Sequence, residues 1–371
     1  MMHKMIVANL AHRPLRSLIS IVAIALEVTL ILLIVGFSLG MLNDSRTRQQ
    51  GIGADVIVLP PGSSNLIGIT GAPAPIRVAD ILAKLDHVRV VAPVIMQLAT
   101  QSAGTPEIIY GIDLKSYDGL GSQFHYLQGG PFQGPYEVLV DDFFAQSKHV
   151  KVGNTIEILN HDFRISGIVE HGKGARKFLP LETLQDLSGA KDKASAFYIK
   201  LDDAANADVV VAEVKNVPGM QTYIVRSMRE YLSMMTPSNI PALAIFIKIV
   251  IGISVTIGFI VIFQAMYTAV MERTREIGIL KSLGASKMYI VTLILRETIA
   301  LTIAGIILGT ALSLVAGAGI HYRAPVLPVE VFNLGWIGKT TLIAIVGALA
   351  GAVYPAFKAA SKDPIEALAY E

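Results

Sequence analysis

The sequence predicts a membrane protein with four transmembrane α-helices and a large mixed α+β extracytoplasmic domain between helices 1 and 2. Three observations carry that prediction. Of 371 residues, 53% are hydrophobic and 16% charged, against about a quarter charged in an ordinary soluble domain. The apolar residues gather in runs at 18–42, 242–270, 290–320 and 334–357, each long enough at 1.5 Å rise per residue to cross a hydrocarbon core of roughly 30 Å. Between the first two runs, residues 43–240 carry 18 Lys and Arg against 21 Asp and Glu with frequent Gly and Pro, which is the composition of a soluble domain.

The elements follow in chain order. Residues 1–17 are expected in the cytoplasm: Lys4, Arg13 and Arg16 precede the first apolar run with no acidic residue, and the positive-inside rule keeps that end inside. The run 18–42 exceeds a signal-peptide core and has no A-x-A site at its end, so it is expected to stay as an anchor. Glu27 lies about two and a half turns into it, where an ionised carboxylate is costly unless it faces a partner, protein or water. A functional role and a structural hydrogen bond to a neighbouring helix both stay open, with the carboxyl ionised or protonated.

In 43–240, β-branched segments bounded by turn formers predict strands at Asp55–Leu59, Ile108–Gly111, Thr155–Leu159, Phe163–Val169 and Phe197–Leu201. Apolar returns at three and four positions predict helices at Val78–Leu85, Asp141–Gln146, Leu181–Leu187 and Asp208–Lys215. Residues 64–75 read as a loop. The adjacent carboxylates Asp141–Asp142 and Asp202–Asp203 read as solvated turns, because neighbouring side chains point apart. The basic cluster Lys173, Arg176 and Lys177 reads as a solvated loop rather than a lipid or partner contact.

The spans 242–270, 290–320 and 334–357 complete the bundle. Lys248 lies near the outer end of its helix and is expected to snorkel. The connection 271–289 is short and basic, holding Arg273, Arg275, Lys281 and Lys287, and is expected inside, whereas 321–333 carries only Arg323 and Glu330 and is expected outside. Lys358 and Lys362 place the tail 358–371 inside. Glycine pairs four apart, Gly36/Gly40, Gly305/Gly309 and Gly347/Gly351, permit close helix approach.

Composition and motifs exclude several functions. A net charge of +2 is too balanced for a polyanion-binding surface, which argues against nucleic acid. With no cysteine there are no disulfides, thiolate metal ligands or cysteine nucleophiles. His125, His149, His161 and His171 lack metal-ligand spacing, no GxSxG elbow occurs, and no catalytic or metal-binding residue is assigned. Gly338-Lys339-Thr340 imitates the end of a phosphate-binding loop, but position 333, where the first glycine belongs, is Asn333. The chain is therefore expected to bind no nucleotide and to be no enzyme, so that any nucleotide energy must come from a separate polypeptide.

The segment Met271–Ser286 combines charge with Ile277, Leu280 and Leu283 at helical spacing and predicts an amphipathic helix, which can lie on lipid or dock in a partner's groove. Its ERTREIGILKSLGAS stretch resembles the signature loop of MacB/FtsX-type ABC transporter permeases, which include the lipoprotein-releasing LolC and LolE. Three further segments share the resemblance: Asn9-Leu10 with Arg13-Pro14-Leu15-Arg16-Ser17, which implies that residues 1–17 form a cytoplasmic interfacial helix leading into the first span, the external stretch Val150–Ile156 with Phe163–Val169, and Tyr354-Pro355-Ala356 with Ala359-Ala360 and Asp363–Leu368.

The resemblance implies that the 271–289 helix seats on an ABC ATPase, with Glu272, Arg273, Arg275, Glu276, Ile277, Gly278, Leu280, Lys281, Gly284 and Ala285 as the coupling residues; Gly278→Pro and Leu280→Asp are expected to uncouple it. It implies two ATPase copies, a second permease copy or a related permease, a periplasmic adaptor as a candidate partner, and the bacterial inner membrane with both termini cytoplasmic. The implied function is export or extraction of an amphipathic or lipophilic substrate by mechanotransmission. An FtsX-like scaffold that activates an extracytoplasmic cell-wall hydrolase is the alternative. An intramembrane enzyme finds no acid–base set beyond the isolated Glu27.

Overall fold

A computed structural model describes residues 14–63, 72–100, 106–121, 123–324 and 327–362. Residues 1–13, with Asn9, Leu10 and Arg13, residues 64–71 of the expected loop, and the 363–368 motif fall outside the described residues. The chain divides into two compact units. A helix unit contains Met1–Gly40, Pro241–Arg323 and Leu327–Glu371, and a sheet unit contains Met41–Ile240 with Ala324–Val326.

Among the described residues, four helices are long and apolar enough to cross a membrane: α1 (Pro14–Gln50), α8 (Pro241–Glu272), α10 (Lys287–Arg323) and α11 (Leu334–Ser361). Continuous backbone hydrogen bonding within each segment is what a bilayer demands, since lipid offers no partner for a stray N–H or C=O.

Glycines set how closely these helices approach. A Cβ on Gly305 would lie 2.6 Å from Ile24 Cβ and one on Gly309 would lie 2.5 Å from the Ala25 carbonyl oxygen, so α10 meets α1 at backbone distance. The Thr29 hydroxyl, 3.0 Å from the Gly309 carbonyl, donates across that contact. Gly351 does the same for α11 against Phe259 and Phe263 of α8. Gly36 and Gly40 behave differently from the expectation of a helix partner. They face the non-helical backbone of Pro328–Val331, and the Gly36 carbonyl accepts the Glu330 N–H at 2.9 Å. Gly338, Lys339 and Thr340 lie inside the first turns of α11, with the Lys339 ammonium 4.6 Å from the centre of the Trp336 ring.

The sheet unit contains β1 (Val56–Leu59), β3 (Val88–Thr100), β4 (Pro106–Ile112), β5 (Tyr126–Gly129), β6 (Glu137–Asp141), β7 (Thr155–Ile158), β8 (His161–Val169), β9 (Lys177–Pro180), β11 (Ala196–Leu201) and β12 (Ile224–Ser227). They form one sheet in the order β12-β1-β11-β3-β4-β9-β6-β8-β5, with β7 paired to β8. Among the described residues, only β4/β9 and β6/β8 are parallel. Short strands β2 (Ala74–Pro75) and β10 (Lys193–Ala194) pair separately, so the end of the expected 64–75 loop is extended and paired.

Both faces of the sheet are buried, and period-2 alternation divides each strand between two cores. Ala196 and Tyr198 of β11 and Tyr110 and Ile112 of β4 enter one core, which is closed by Ile52 just past α1, by α3 (Leu114–Asp118) and by α7 (Met228–Ser233). Phe197 and Ile199 point to the other side, under α2 (Val78–Leu82) and α6 (Ala207–Asn216). Further along that side, Val138, Val140 and Leu179 lie under α4 (Asp142–Lys148) and α5 (Leu181–Leu187).

Two expectations of solvated charge are corrected here. Asp141 is fully buried, caps α4 by accepting the Phe144 N–H at 2.7 Å, and pairs with Arg176 at 3.1 Å. Lys177 is likewise buried, 2.6 Å from Glu107 and over the face of Phe144. Arg176 and Lys177 are buried against carboxylates, the fully buried Asp141 and the partly buried Asp44 and Glu107, and spacing along the chain does not reveal these partners. Asp202 and Asp203 do lie in an exposed turn, where Asp203 accepts the Ala205 N–H.

Candidate functional site

The amphipathic segment after the second span is a separate helix, α9 (Thr274–Ser282), set off from α8 by a break at Arg273. Its far end closes on a glycine signal. Gly284 has φ +95°, and the Gly284 and Ala285 N–H groups bond to the Lys281 and Leu280 carbonyls at 3.0 Å. This is the paired hydrogen-bond pattern that ends a helix on a left-handed residue. Ser286 then caps α10 by accepting the Tyr289 N–H at 3.2 Å.

One face of α9 is fastened to the bundle. Thr274 and Gly278 are buried, and Ile277, Leu280 and Ala285 pack against the core formed by α8, α10 and α11. Arg273 forms an ion pair with Glu297 of α10, Nη1 to Oε2 3.1 Å, with both side chains nearly buried. At the other end the Lys281 ammonium donates to the carbonyl of Ala360, at 3.0 Å, and to that of Lys362. A lysine on the last carbonyls of a helix satisfies acceptors that have no partner within the helix. α9 is thus tied to α10 by an ion pair at its start and to the end of α11 by a lysine cap at its own end.

The opposite face is exposed. It presents Arg275, Glu276, Ile279 and Ser282, with the exposed Leu283 just past its end and the exposed Glu272 at the end of α8 just before it. Leu283 is 80% exposed and Ile279 46%, followed by the exposed Met288.

The ten coupling residues expected from the sequence therefore divide. Glu272, Arg275 and Glu276 are on the open face. Arg273, Ile277, Gly278, Leu280 and Lys281 are turned to the bundle, while Gly284 and Ala285 form the cap. Leu280 is not on the open face, so Leu280→Asp would perturb the bundle itself. Ile279 and Leu283 on the open face and Glu297, the partner of Arg273, are not among those ten. A signal for Glu297 existed, since an acidic residue in a membrane run needs a partner.

Glu27 is 8% exposed, and its Oε1 has no hydrogen-bond partner among the described residues. The carboxyl rests on Gly258 of α8, where an added Cβ would overlap Glu27 Oε2. Nearby along the same helices, Ile31 and Val35 of α1 pack on Ile247.

Two family models match the chain. The MacB-like periplasmic core domain covers residues 17–217, and the FtsX-like permease C-terminal covers residues 248–364. The chain belongs to the MacB/FtsX family of ABC transporter permeases. The stretch 218–247 between the two matches holds β12, α7 and the start of α8. Among its relatives, an uncharacterized ABC transporter permease, YknZ of Bacillus subtilis, is 30% identical over 59% of this chain and 55% of its own. The macrolide export ATP-binding/permease protein MacB of Chlorobium luteolum is 28% identical over 59% of this chain and 35% of its own. MacB of Neisseria gonorrhoeae is 23% identical over 98% of this chain and 60% of its own. The chain thus spans about a third to three fifths of the length of the curated relatives it matches. The periplasmic region of MacB from Actinobacillus actinomycetemcomitans aligns with 50% of the chain, covering 94% of that structure, at 15% identity and a TM-score of 0.40.

In this MacB/FtsX permease, the exposed stripe of α9 and the buried Glu27 are the two features that stand out from membrane-helix packing. Within the described residues no group of three or more His, Asp and Glu is arranged to hold a metal.

Proposed function

We propose that the chain is the permease subunit of an ABC transporter, taking energy from an ATPase on a separate polypeptide and using it to export or extract an amphipathic or lipophilic substrate by moving its sheet domain. The observation that supports this most is the two-sided build of α9. A helix fastened at both ends to the bundle, by Arg273–Glu297 and by Lys281 on the end of α11, cannot tilt alone. A push on its exposed face is passed to α8, α10 and α11 together. The exposed stripe mixes Ile279 and Leu283 with Glu272, Arg275 and Glu276, which suits an apolar groove with a charged rim.

On this reading the ATPase engages Glu272, Arg275, Glu276, Ile279 and Leu283, while Arg273, Ile277, Gly278, Leu280, Lys281, Gly284 and Ala285 position the helix. ATP and Mg bind the partner, of which two copies serve two permease chains. α9 and both termini face the cytoplasm, and the sheet domain lies across the membrane, available to an adaptor. For the coupling to do work, the ATPase must interact differently with two permease states, because equal contact in both shifts nothing.

The test is affinity purification of the tagged chain in mild detergent, with mass spectrometry of what accompanies it and an ATPase assay with and without lipophilic compounds. An ATPase with compound-stimulated turnover supports the reading. An ATPase with a wall hydrolase and no stimulation replaces transport by signalling, and the absence of any ATPase overturns both.

A further inference from the structure

The last turns of α1 belong to the sheet unit and are held there by buried polar contacts. Gln49 is buried between two tyrosines of the sheet. Its side-chain N–H donates to Tyr110 Oη, and its carbonyl oxygen accepts from Tyr198 Oη, each at 2.9 Å. Tyr110 is on β4 and Tyr198 on β11, with β3 between them, so a single glutamine spans three strands. About a turn earlier, Asp44 accepts from Arg176 at 3.2 Å, and Arg176 reaches on to the buried Asp141 at 3.1 Å. Arg48 lies 3.1 Å from Asp44, and its carbonyl accepts the Gly174 N–H at 2.9 Å. A Cβ on Gly51 would overlap the Gly172 carbonyl oxygen, so helix end and loop touch backbone to backbone.

These contacts are directional and buried or partly buried, and between Gly40 and Gly51 the sequence MLNDSRTRQQ has no glycine or proline to act as a hinge. Apolar packing alone would let a helix end slide or turn over the sheet at little cost. A glutamine amide held by hydroxyls on both sides does not, because either lost bond leaves a buried polar group unsatisfied.

We propose that Gln49, with Tyr110 and Tyr198, and Arg176, with Asp44 and Asp141, form the joint through which displacement of the first helix is delivered to the sheet domain. This rests on the coupling described under Proposed function.

The test compares the full chain with its co-purified ATPase in nanodiscs, with and without a non-hydrolysable ATP analogue, by amide hydrogen exchange read by mass spectrometry. The variant is Gln49→Met/Tyr110→Phe/Tyr198→Phe, which removes all three polar partners together and so avoids an orphaned buried group, a change close to neutral for folding. In the wild type the analogue is expected to change exchange both in α9 and in β4 and the 172–180 segment. In the triple variant the α9 response persists, while the sheet response falls more than about fivefold, the scale of an ordinary coupling energy.

A sheet response that survives in the triple variant overturns the joint. So does a wild type in which α9 responds and the sheet does not. If α9 itself does not respond in the wild type, the ATPase coupling fails and the joint with it, an outcome distinct from the other two. Should the triple variant misfold, Asp44→Ala removes one half-buried arm of the joint and is read in the same way; an unchanged sheet response there likewise counts against the joint.

Discussion

Asp141 shows what burial does to a single group. Burial raises its carboxyl to about 6, and Arg176 and the Phe144 N–H only partly oppose the rise. Between about pH 4, where an unfolded aspartate titrates, and 6, the folded chain holds a proton that the unfolded chain has released. The contribution of Asp141 to stability is therefore greatest below about pH 4 and declines as pH rises to 6. Asp141→Asn removes that decline but also one acceptor, at a cost of about 1–3 kcal/mol. Apparent Tm of the detergent-solubilised chain at pH 4.5 and 6.5 checks this: the wild type should lose more than the variant between the two. Glu27 and Gly258 provide a second test. Gly258→Ala drives a methyl into the Glu27 carboxyl, and Glu27→Ala vacates that space, so a double-mutant cycle on thermal stability should show coupling of about 0.5–3 kcal/mol. Simple additivity would mean that the carboxyl swings away freely.

Among the secondary-structure elements, α9 is the informative case. Its sequence carries apolar residues all round, and Ile277, Leu280 and Leu283 look like one stripe. In the structure Ile277 and Leu280 face the bundle, while Leu283 and Ile279 face out. Leu283→Asp or Ile279→Asp is expected to reduce ATPase co-purification at least about tenfold, the loss of about 1.4 kcal/mol or more of apolar contact, with Tm unchanged. Leu280→Asp should lower Tm, because it puts a charge against the α8–α10–α11 core. Equal loss of ATPase with equal Tm for all three would refute the assignment of faces. Glycine contacts divide in the same manner: Gly309→Ala meets the Ala25 carbonyl oxygen at 2.5 Å and is expected to cost about 1–3 kcal/mol, whereas Gly252, with open space around its Cβ position, should tolerate alanine.

For the molecule as a whole, charge bias at the helix ends is the basis of the orientation. Because the chain has no cysteine, single introduced cysteines report it directly. Lys151→Cys in the sheet unit is expected to react with a membrane-impermeant maleimide in intact spheroplasts, and Arg275→Cys on α9 only after permeabilisation. The reverse pattern would invert the topology and remove α9 from the ATPase side.

Features local to the chain were legible without a fold: membrane spans from runs of apolar residues, strands and helices such as those at Phe163–Val169 and Leu181–Leu187 from period-2 and period-3.6 patterns, and the family from ERTREIGILKSLGAS. Hydropathy and periodicity act over a few to some twenty residues, so no distant partner is needed to read them. Which charges are solvated and which face of a helix is open came from the packed fold instead. Arg176 and Lys177 read as loop charges until Asp141 and Asp44, 35 and 132 positions from Arg176, and Glu107, 70 positions from Lys177, come within hydrogen-bond reach. Gln49 carries no pattern at all, because its role comes from Tyr110 and Tyr198, which sequence distance conceals and strand order brings together. A buried polar group gets its meaning from the partner that satisfies it, and that partner is chosen by topology.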